Sequence, residues 1–180
     1  MDNQNREQDP NKLEEKVLLI RRISKKTKGG NYISFSALVI VGDNKGKVGV
    51  GMGRSQEIPP AIKKAIAKAK KNTINVPIYN STIPHKITTK FKAAKVFLKP
   101  SPEGSGLKVG NVARAILELA GIKNASGKIL KSKNKIVNTY AIFKALSELK
   151  PLKVAPLRSS HSAIRATRDK KSFEGQEEIK

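Results

Sequence analysis

The sequence contains no cysteine, no tryptophan and only two histidines, His85 and His161. The absence of cysteine excludes disulfide bonds and thiolate metal sites, and two histidines are too few for an ordinary zinc site. Aromatic residues make up only 4% of the chain, so we expect stacking on unpaired bases to be a minor binding mode. The polar, partly acidic N-terminus does not resemble a signal or transit peptide. These features predict an unprocessed protein of a reducing compartment such as the cytoplasm.

Acidic side chains are also scarce. The chain has 37 Lys and Arg against 14 Asp and Glu, a formal charge of +23. Nine of the acids lie in residues 1–15 and 169–180, which leaves 32 basic and 5 acidic side chains in residues 16–168, a net of +27. Such a charge destabilises an isolated compact chain through self-repulsion, so we expect a polyanion to supply the counter-charge. Nucleic acid fits better than an anionic membrane, because no apolar run is long enough to span one.

Sites for catalysis or nucleotide binding are not found in the sequence. The five interior acids are scattered one to an element, and neither histidine has a sequence neighbour that would activate it. The glycine-rich stretches 42–47, 49–54 and 104–110 each miss the spacing of a phosphate loop or of a dinucleotide-binding turn. We interpret their glycines as permitting turns and close backbone approach. The sequence therefore predicts a protein that is not an enzyme and needs no cofactor or metal.

The first half of the chain predicts a sheet. Residues 13–23 have apolar side chains at helical spacing and are predicted as a helix, although their last residues could equally open a strand. Tyr32–Val41 and Lys47–Gly53 alternate like strands and are joined by the short turn Gly42–Gly46. This pattern indicates a β-hairpin.

A lysine-rich helix is predicted directly after this hairpin. Ser55 is the expected cap, Pro59 and Pro60 suit the first turn, and the helix should end near Asn72. One face of the helix is apolar, and the others carry five lysines: Lys63, Lys64, Lys68, Lys70 and Lys71. The apolar face should pack, and the lysines should attract anions.

The second half predicts a separate α/β unit, beginning near Val76. A strand is expected at Ala93–Pro100, a helix at Asn111–Ala120 capped by Gly121, and a second helix at Lys131–Leu149. The fold class is therefore α+β. We divide the chain into a flexible N-terminus (1–11), two domains (12–76 and 77–150) and a basic-to-polar tail (151–180).

Cationic side chains at three places are the candidate binding residues. Three lysines precede a Gly-Gly pair that lets the chain bend without a side-chain clash. We expect contacts with phosphates and with nucleic-acid shape rather than with base edges. The candidates are Ser24, Lys25, Lys26, Lys28, Gly29 and Gly30 at the tip, Lys45, Lys47 and Arg54 on the hairpin, and Lys63, Lys64, Lys68 and Lys71 on the helix.

Three stretches together resemble one known family. "ISKKTKGG", "SFSALVIVGDNKGKVGVGMGRSQEIPP" and "AAKVFLKPSPEGSGLKVGNVARAILELAGIKN" are similar to the fifth small-subunit ribosomal protein, the S-five family of bacterial or organellar type. The resemblance covers about residues 12–150. It implies an N-terminal domain like a double-stranded-RNA-binding domain, a sheet plus a helix, followed by a C-terminal left-handed βαβ domain. The implied function is a structural one in the small ribosomal subunit, through binding of its ribosomal RNA.

The resemblance also implies roles for particular residues. Ser24–Gly30 would form a hairpin tip near the decoding region, where spectinomycin binds, with Arg21 and Arg22 close to the path of entering messenger RNA. Gly106 and Arg114 would contact the fourth small-subunit protein and influence decoding accuracy, and the eighth is a further expected neighbour. Asn31 departs from the family's usual Arg after Gly-Gly, which removes one expected phosphate contact.

Two other functions fit parts of the sequence. A free RNA chaperone or duplex-binding regulator would share the charge but would not need the second domain to hold protein neighbours. A nucleotide-hydrolysing enzyme would share at most the fold of the second domain, and fold analogy alone does not establish a function. We predict a ribosome-bound protein, of the cytoplasm or of an organelle.

Overall fold

The structure, a computed structural model, describes residues 13–151. The predicted flexible N-terminus, the tail beyond residue 151 and His161 lie outside these residues. The elements are β1 (Glu14–Thr27), β2 (Gly30–Gly42), β3 (Lys47–Ser55), α1 (Ile58–Lys71), β4 (Thr73–Asn75), β5 (Ile87–Phe91), β6 (Ala94–Pro100), β7 (Leu107–Lys108), α2 (Asn111–Leu119), β8 (Ala125–Leu130) and α3 (Lys135–Ser147).

These elements form two four-stranded sheets. The first is antiparallel with the order β1-β2-β3-β4, and the second has the order β5-β6-β8-β7. In the second sheet β7 and β8 run parallel and α2 connects them, which makes a βαβ unit. The predicted α+β fold, a sheet with a helix followed by a second sheet with helices, is confirmed. The predicted domain division at residues 76 and 77 falls between the sheets and stays a prediction.

The helix predicted over residues 13–23 was wrong, because this segment is the first part of the edge strand β1. β1 pairs with β2 along its whole length, and the register shifts between Val17 and Leu19. The irregularity breaks the two-residue alternation of a strand and leaves apolar side chains at neighbouring positions. Neighbouring apolar residues of this kind resemble helical spacing in the sequence.

The second half of the central strand β2, from Ala37 onward, is buried on both faces. Ala37, Val39 and Val41 pack against α1 on one face, while Leu38 and Ile40 belong to the large core that contains α2, α3 and the second sheet. A strand that is covered on both sides does not need polar residues at alternate positions. This explains the continuous apolar run Ala37–Val41. The first sheet is therefore the middle layer, with a helix of its own unit on one side and the second unit on the other.

Three glycines of β3 bring α1 unusually close to the sheet. A Cβ atom at Gly49, Gly51 or Gly53 would collide with the backbone of Ala69, Ala65 or Ala61, respectively. Four residues of a helix span about 6.0 Å and two residues of a strand about 6.7 Å. Every second residue of β3 can therefore lie opposite every fourth residue of α1. The interpretation that glycines in this stretch permit close backbone approach is confirmed.

The β2–β3 turn joins the two units through hydrogen bonds to the end of α2. The amides of Asn44 and Gly46 donate to the carbonyls of Leu119 and Ala120, both at 3.0 Å. These carbonyls lie at the C-terminal end of the helix, where no intrahelical partner is available. Gly121 follows the helix with φ +85°, as predicted for its capping residue.

Two predicted helix starts were displaced. Helix α1 begins at Ile58 after Glu57 rather than after Ser55, because β3 continues to Ser55, which pairs with Phe35. Helix α3 begins at Lys135, four residues later than predicted, and the side chain of Asn134 accepts a hydrogen bond from the amide of Ile136.

Candidate nucleic-acid interface

The distal half of the β1–β2 hairpin extends away from the body of the protein. We call residues 20–33 the arm, and all of them are exposed except Ile23, which is partly buried. Lys28 and Gly29 form the two-residue turn, and Gly30 has φ +128°, a conformation that favours glycine. Apart from each glycine and its two chain neighbours, no described atom lies within 4 Å of the place where a Cβ would sit on Gly29 or Gly30. The tip is thus free to approach another molecule closely.

The arm carries cations on both faces. Strand alternation after the register shift places Arg21 and Lys25 on one face and Arg22 and Lys26 on the other. Ser24 lies between the arginines and the lysines in the sequence, and all five side chains are exposed. Within residues 13–151 none of them takes part in an ion pair. The arm therefore presents positive charge in two directions.

One face of the arm leads into an open cleft of about 510 Å³. Cations from three separate elements line this cleft: Lys25 of β1, Arg54 of β3 and Lys64 of α1. Tyr32 also lines it, and its hydroxyl accepts a hydrogen bond from the side-chain amide of Gln56. The structure thus brings together three residues that the sequence predicted only as separate candidates. A phosphate group is a fitting ligand for such converging cations.

The solvent side of α1 extends this charge. Lys63, Lys64, Lys68 and Lys71 are exposed, while Ala61, Ala65 and Ala69 face the sheet. Lys70 differs from them because its ammonium lies 3.0 Å from the Glu15 carboxylate on β1. The charge of Lys70 is therefore partly neutralised, and this ion pair links the edge strand β1 to α1.

Lys45 and Lys47 lie at the opposite end of the first sheet. Both are exposed, but Lys45 lies within the turn that contacts α2 and Lys47 directly follows this turn. The 13 residues of β2 separate them from the tip by about 40 Å. The structure does not bring these two lysines together with the arm, so only a large ligand could contact both places.

The predicted protein-interface residues lie near each other in the second unit. Arg114 of α2 donates to the carbonyl of Leu107 at 2.9 Å, one residue beyond Gly106. Gly106 has φ +68°, and its amide donates to the side chain of buried Asn124 at 3.1 Å. Arg114 also lines a second cleft of about 550 Å³ beside the α2 terminus. Sequence reasoning missed Asn124, since a single Asn in a loop has no distinguishing pattern.

The described residues contain no group of three or more His, Asp or Glu side chains that could hold a metal ion. No helix among residues 13–151 has the length and apolar character needed to cross a membrane. His85 is partly buried in the segment between the two sheets. The concentration of exposed cations on the arm, the cleft and α1 is thus the main chemical feature of the N-terminal unit.

Comparisons with known proteins give a consistent assignment. Residues 13–77 match the family model described as ribosomal protein S5, N-terminal domain, and residues 89–158 match ribosomal protein S5, C-terminal domain. The small ribosomal subunit protein uS5 of Thermotoga neapolitana is 50% identical over 147 residues, which are 81% of this chain and 83% of that protein. The protein of the same name from Chloroflexus aurantiacus is 48% identical over 140 residues, covering 78% and 79% of the two chains.

Proposed function

The chain belongs to the ribosomal protein S5 family, whose members are structural proteins of the small ribosomal subunit, and from this premise we propose how it acts there. It binds small-subunit ribosomal RNA through the arm, the cleft beside it and the outer side of α1. The family is not an enzyme family, so the prediction that the protein is not an enzyme is confirmed by membership. We place the chain in the ribosome, of the cytoplasm or of an organelle.

The observation that carries this proposal is the convergence of Lys25, Arg54 and Lys64 on one cleft at the base of an exposed cationic arm. Each residue belongs to a different element of the folded unit. The relative positions of the three charges are therefore set by the fold, unlike those of charges in a flexible tail. Phosphate contacts position a protein on RNA, and the fixed spacing of the cations selects a shape. The glycine tip lets the backbone itself come close to the RNA.

Contacts with protein neighbours form the second part of the proposal. Gly106 and Arg114 lie beside the second cleft, and no described atom lies within 4 Å of a Cβ built on Gly106. We propose that this region meets the fourth small-subunit protein, with the eighth as a further neighbour. Through that contact the protein supports translational accuracy, while Arg21 and Arg22 lie near the entry path of messenger RNA.

Salt dependence of RNA binding tests the first part. Each phosphate that is neutralised contributes about 0.7 to 0.9 to the slope of log K against log salt. Replacement of Lys25, Lys26 and Lys28 with alanine should flatten the slope by about 2 to 3 and weaken binding across RNA sequences. The matched control replaces Lys123, Lys135 and Lys150, which are exposed on the second unit, and should leave the slope unchanged. Equal slopes for the two triple variants would exclude the arm from the binding surface.

Sedimentation distinguishes the proposed function from the alternative, a free RNA chaperone. A subunit protein should migrate with small ribosomal subunits at moderate salt, and an Arg114→Glu variant should weaken this association by disturbing the protein contact. A chaperone should remain at the top of the gradient, and the Arg114 variant should behave like the parent.

A further inference from the structure

Among the helices of residues 13–151, none packs against the outer face of the second sheet. Val96 and Leu98 of β6 are buried in the core shared with α2 and α3, whereas Lys95 and Lys99 point the other way and are exposed. The cross-strand register extends this outer face over the neighbouring strands, since directly paired residues share a face. Lys90 is opposite Lys95, and Lys128 is opposite Phe97.

This outer face is rich in lysine and free of acids. We call it the lysine face, and it is defined by Lys90, Lys95, Lys99, Lys108, Lys128 and Phe97. All five lysines are exposed, and the four strands of the sheet contain no Asp or Glu. None of the ion pairs found in residues 13–151 involves these lysines. Their charge is left without a partner inside the described protein.

The like charges of this face favour the binding of an anionic ligand. Lys90 and Lys95 are directly opposite each other in the sheet, and like charges in cross-strand pairs are destabilising. An anionic ligand removes this repulsion. The lysines lie on four different strands of one regular sheet, so their spacing is fixed by the backbone rather than by flexible loops.

Phe97 lies in the middle of the lysine face. Lys95 and Lys99 precede and follow it by two residues on the strand, about 6.7 Å away on each side, and Lys128 is its cross-strand neighbour. The ring is only partly buried and does not belong to the hydrophobic core. A partly accessible aromatic ring on an open sheet, surrounded by cations, is an arrangement on which a nucleic-acid base can stack.

We propose that the lysine face is a second RNA-binding surface, which stacks an unpaired nucleotide on Phe97 and holds the neighbouring phosphates with its lysines. The proposal rests on the proposed function, to which it adds a contact with unpaired RNA in the C-terminal unit. An acidic protein segment would satisfy the lysines but would leave the central ring without a role. RNA has both the charge and the flat apolar surface that this face requires.

The test uses the full chain and an unpaired RNA oligonucleotide of mixed sequence, with affinity measured by fluorescence anisotropy at several salt concentrations. Phe97→Leu should lower the affinity about fivefold to tenfold without changing the salt slope, because stacking is not ionic. Phe97→Tyr keeps a ring and should retain the affinity. Replacement of Lys95, Lys99 and Lys128 with alanine should reduce the slope by about 2.

The control variant with alanine at Lys123, Lys135 and Lys150 has the same net charge and should keep the parental slope. Urea midpoints show whether each variant remains folded. The proposal is overturned if Phe97→Leu and the lysine-face triple variant bind the oligonucleotide like the parent. It is also overturned if a photoreactive group at position 97 crosslinks to a protein rather than to RNA in assembled subunits.

A failure of this proposal and a failure of the proposed function give different results. A failure of the arm variants to change binding of structured ribosomal RNA would remove the arm from the interface and leave the oligonucleotide result intact. Conversely, an inert lysine face would leave the arm and its salt slope unaffected.

Discussion

Replacement of Gly51 with alanine tests how closely α1 packs on the first sheet. Gly51 lies in β3, and its φ is not in the positive region, so the backbone itself accepts alanine. At such a position Gly→Ala normally stabilises a protein by about 0.4 to 1 kcal/mol, because the unfolded chain loses freedom. Here we expect the opposite sign.

The added methyl group has no space. It would lie 2.5 Å from the amide nitrogen of Ala69 and closer still to the carbonyl oxygen of Ala65. Both atoms belong to the helix backbone, so no side chain can rotate away. Ordinary contact requires the helix to retreat by about 1 Å, which forfeits a quarter to a half of each dispersion contact along this interface. We expect destabilisation by about 3 kcal/mol, at the upper end of the range for overpacked cores.

Urea denaturation followed by circular dichroism measures this effect. With a slope of about 2 kcal/mol/M, the midpoint should fall by about 1.5 M while the slope stays unchanged. Gly29→Ala is the matched control, since nothing lies within 4 Å of its Cβ position, and it should leave the midpoint nearly unaltered. A Gly51→Ala midpoint equal to that of the control would refute the argument from close packing.

Three further changes test the contact between the units and the helix caps. Gly121→Ala should cost at least 2 kcal/mol more than Gly104→Ala, by urea denaturation. Both glycines have positive φ, worth about 1 to 2 kcal/mol of strain each, but only Gly121 meets a backbone, that of Asn44. Asp43→Ala should cost about 1 to 2 kcal/mol, because its carboxylate accepts two turn amides at 2.8 Å, and no loss would contradict this role. Asn134→Ala should cost about 1 kcal/mol and Asn134→Ser much less; equal losses would mean that the cap bond is unimportant.

Elements with a regular local pattern were predictable from the sequence. The hairpin Tyr32–Gly53, the body of α1 and the helix α2 with its capping Gly121 depend on alternation, helical periodicity and turn residues that lie close together in the chain. The strand β1 was not predictable in this way, since its register shift depends on pairing with β2. The strands β5 and β8 were missed because they are short and mix polar with apolar residues.

The candidate site was predictable as a set of residues but not as a surface. Lysine and arginine positions can be read from the sequence, whereas the meeting of Lys25, Arg54 and Lys64 in one cleft depends on the packing of three elements. The distance between Lys45 and the tip is set by the length of β2. The predicted strand began at Tyr32, whereas β2 begins at Gly30, so the sequence pattern predicted too short a strand. The lysine face had a visible signal, the alternation of Lys95, Phe97 and Lys99 with buried apolar residues.

Protection of individual lysines from chemical modification tests the central claim most directly. The full chain is acetylated briefly with and without small-subunit ribosomal RNA at physiological salt, and each lysine is quantified by mass spectrometry. We predict strong protection by RNA at Lys25, Lys26, Lys28 and Lys64, with Lys135 and Lys150 modified equally in both samples. Equal modification of the arm lysines with and without RNA would contradict the claim that RNA neutralises the arm.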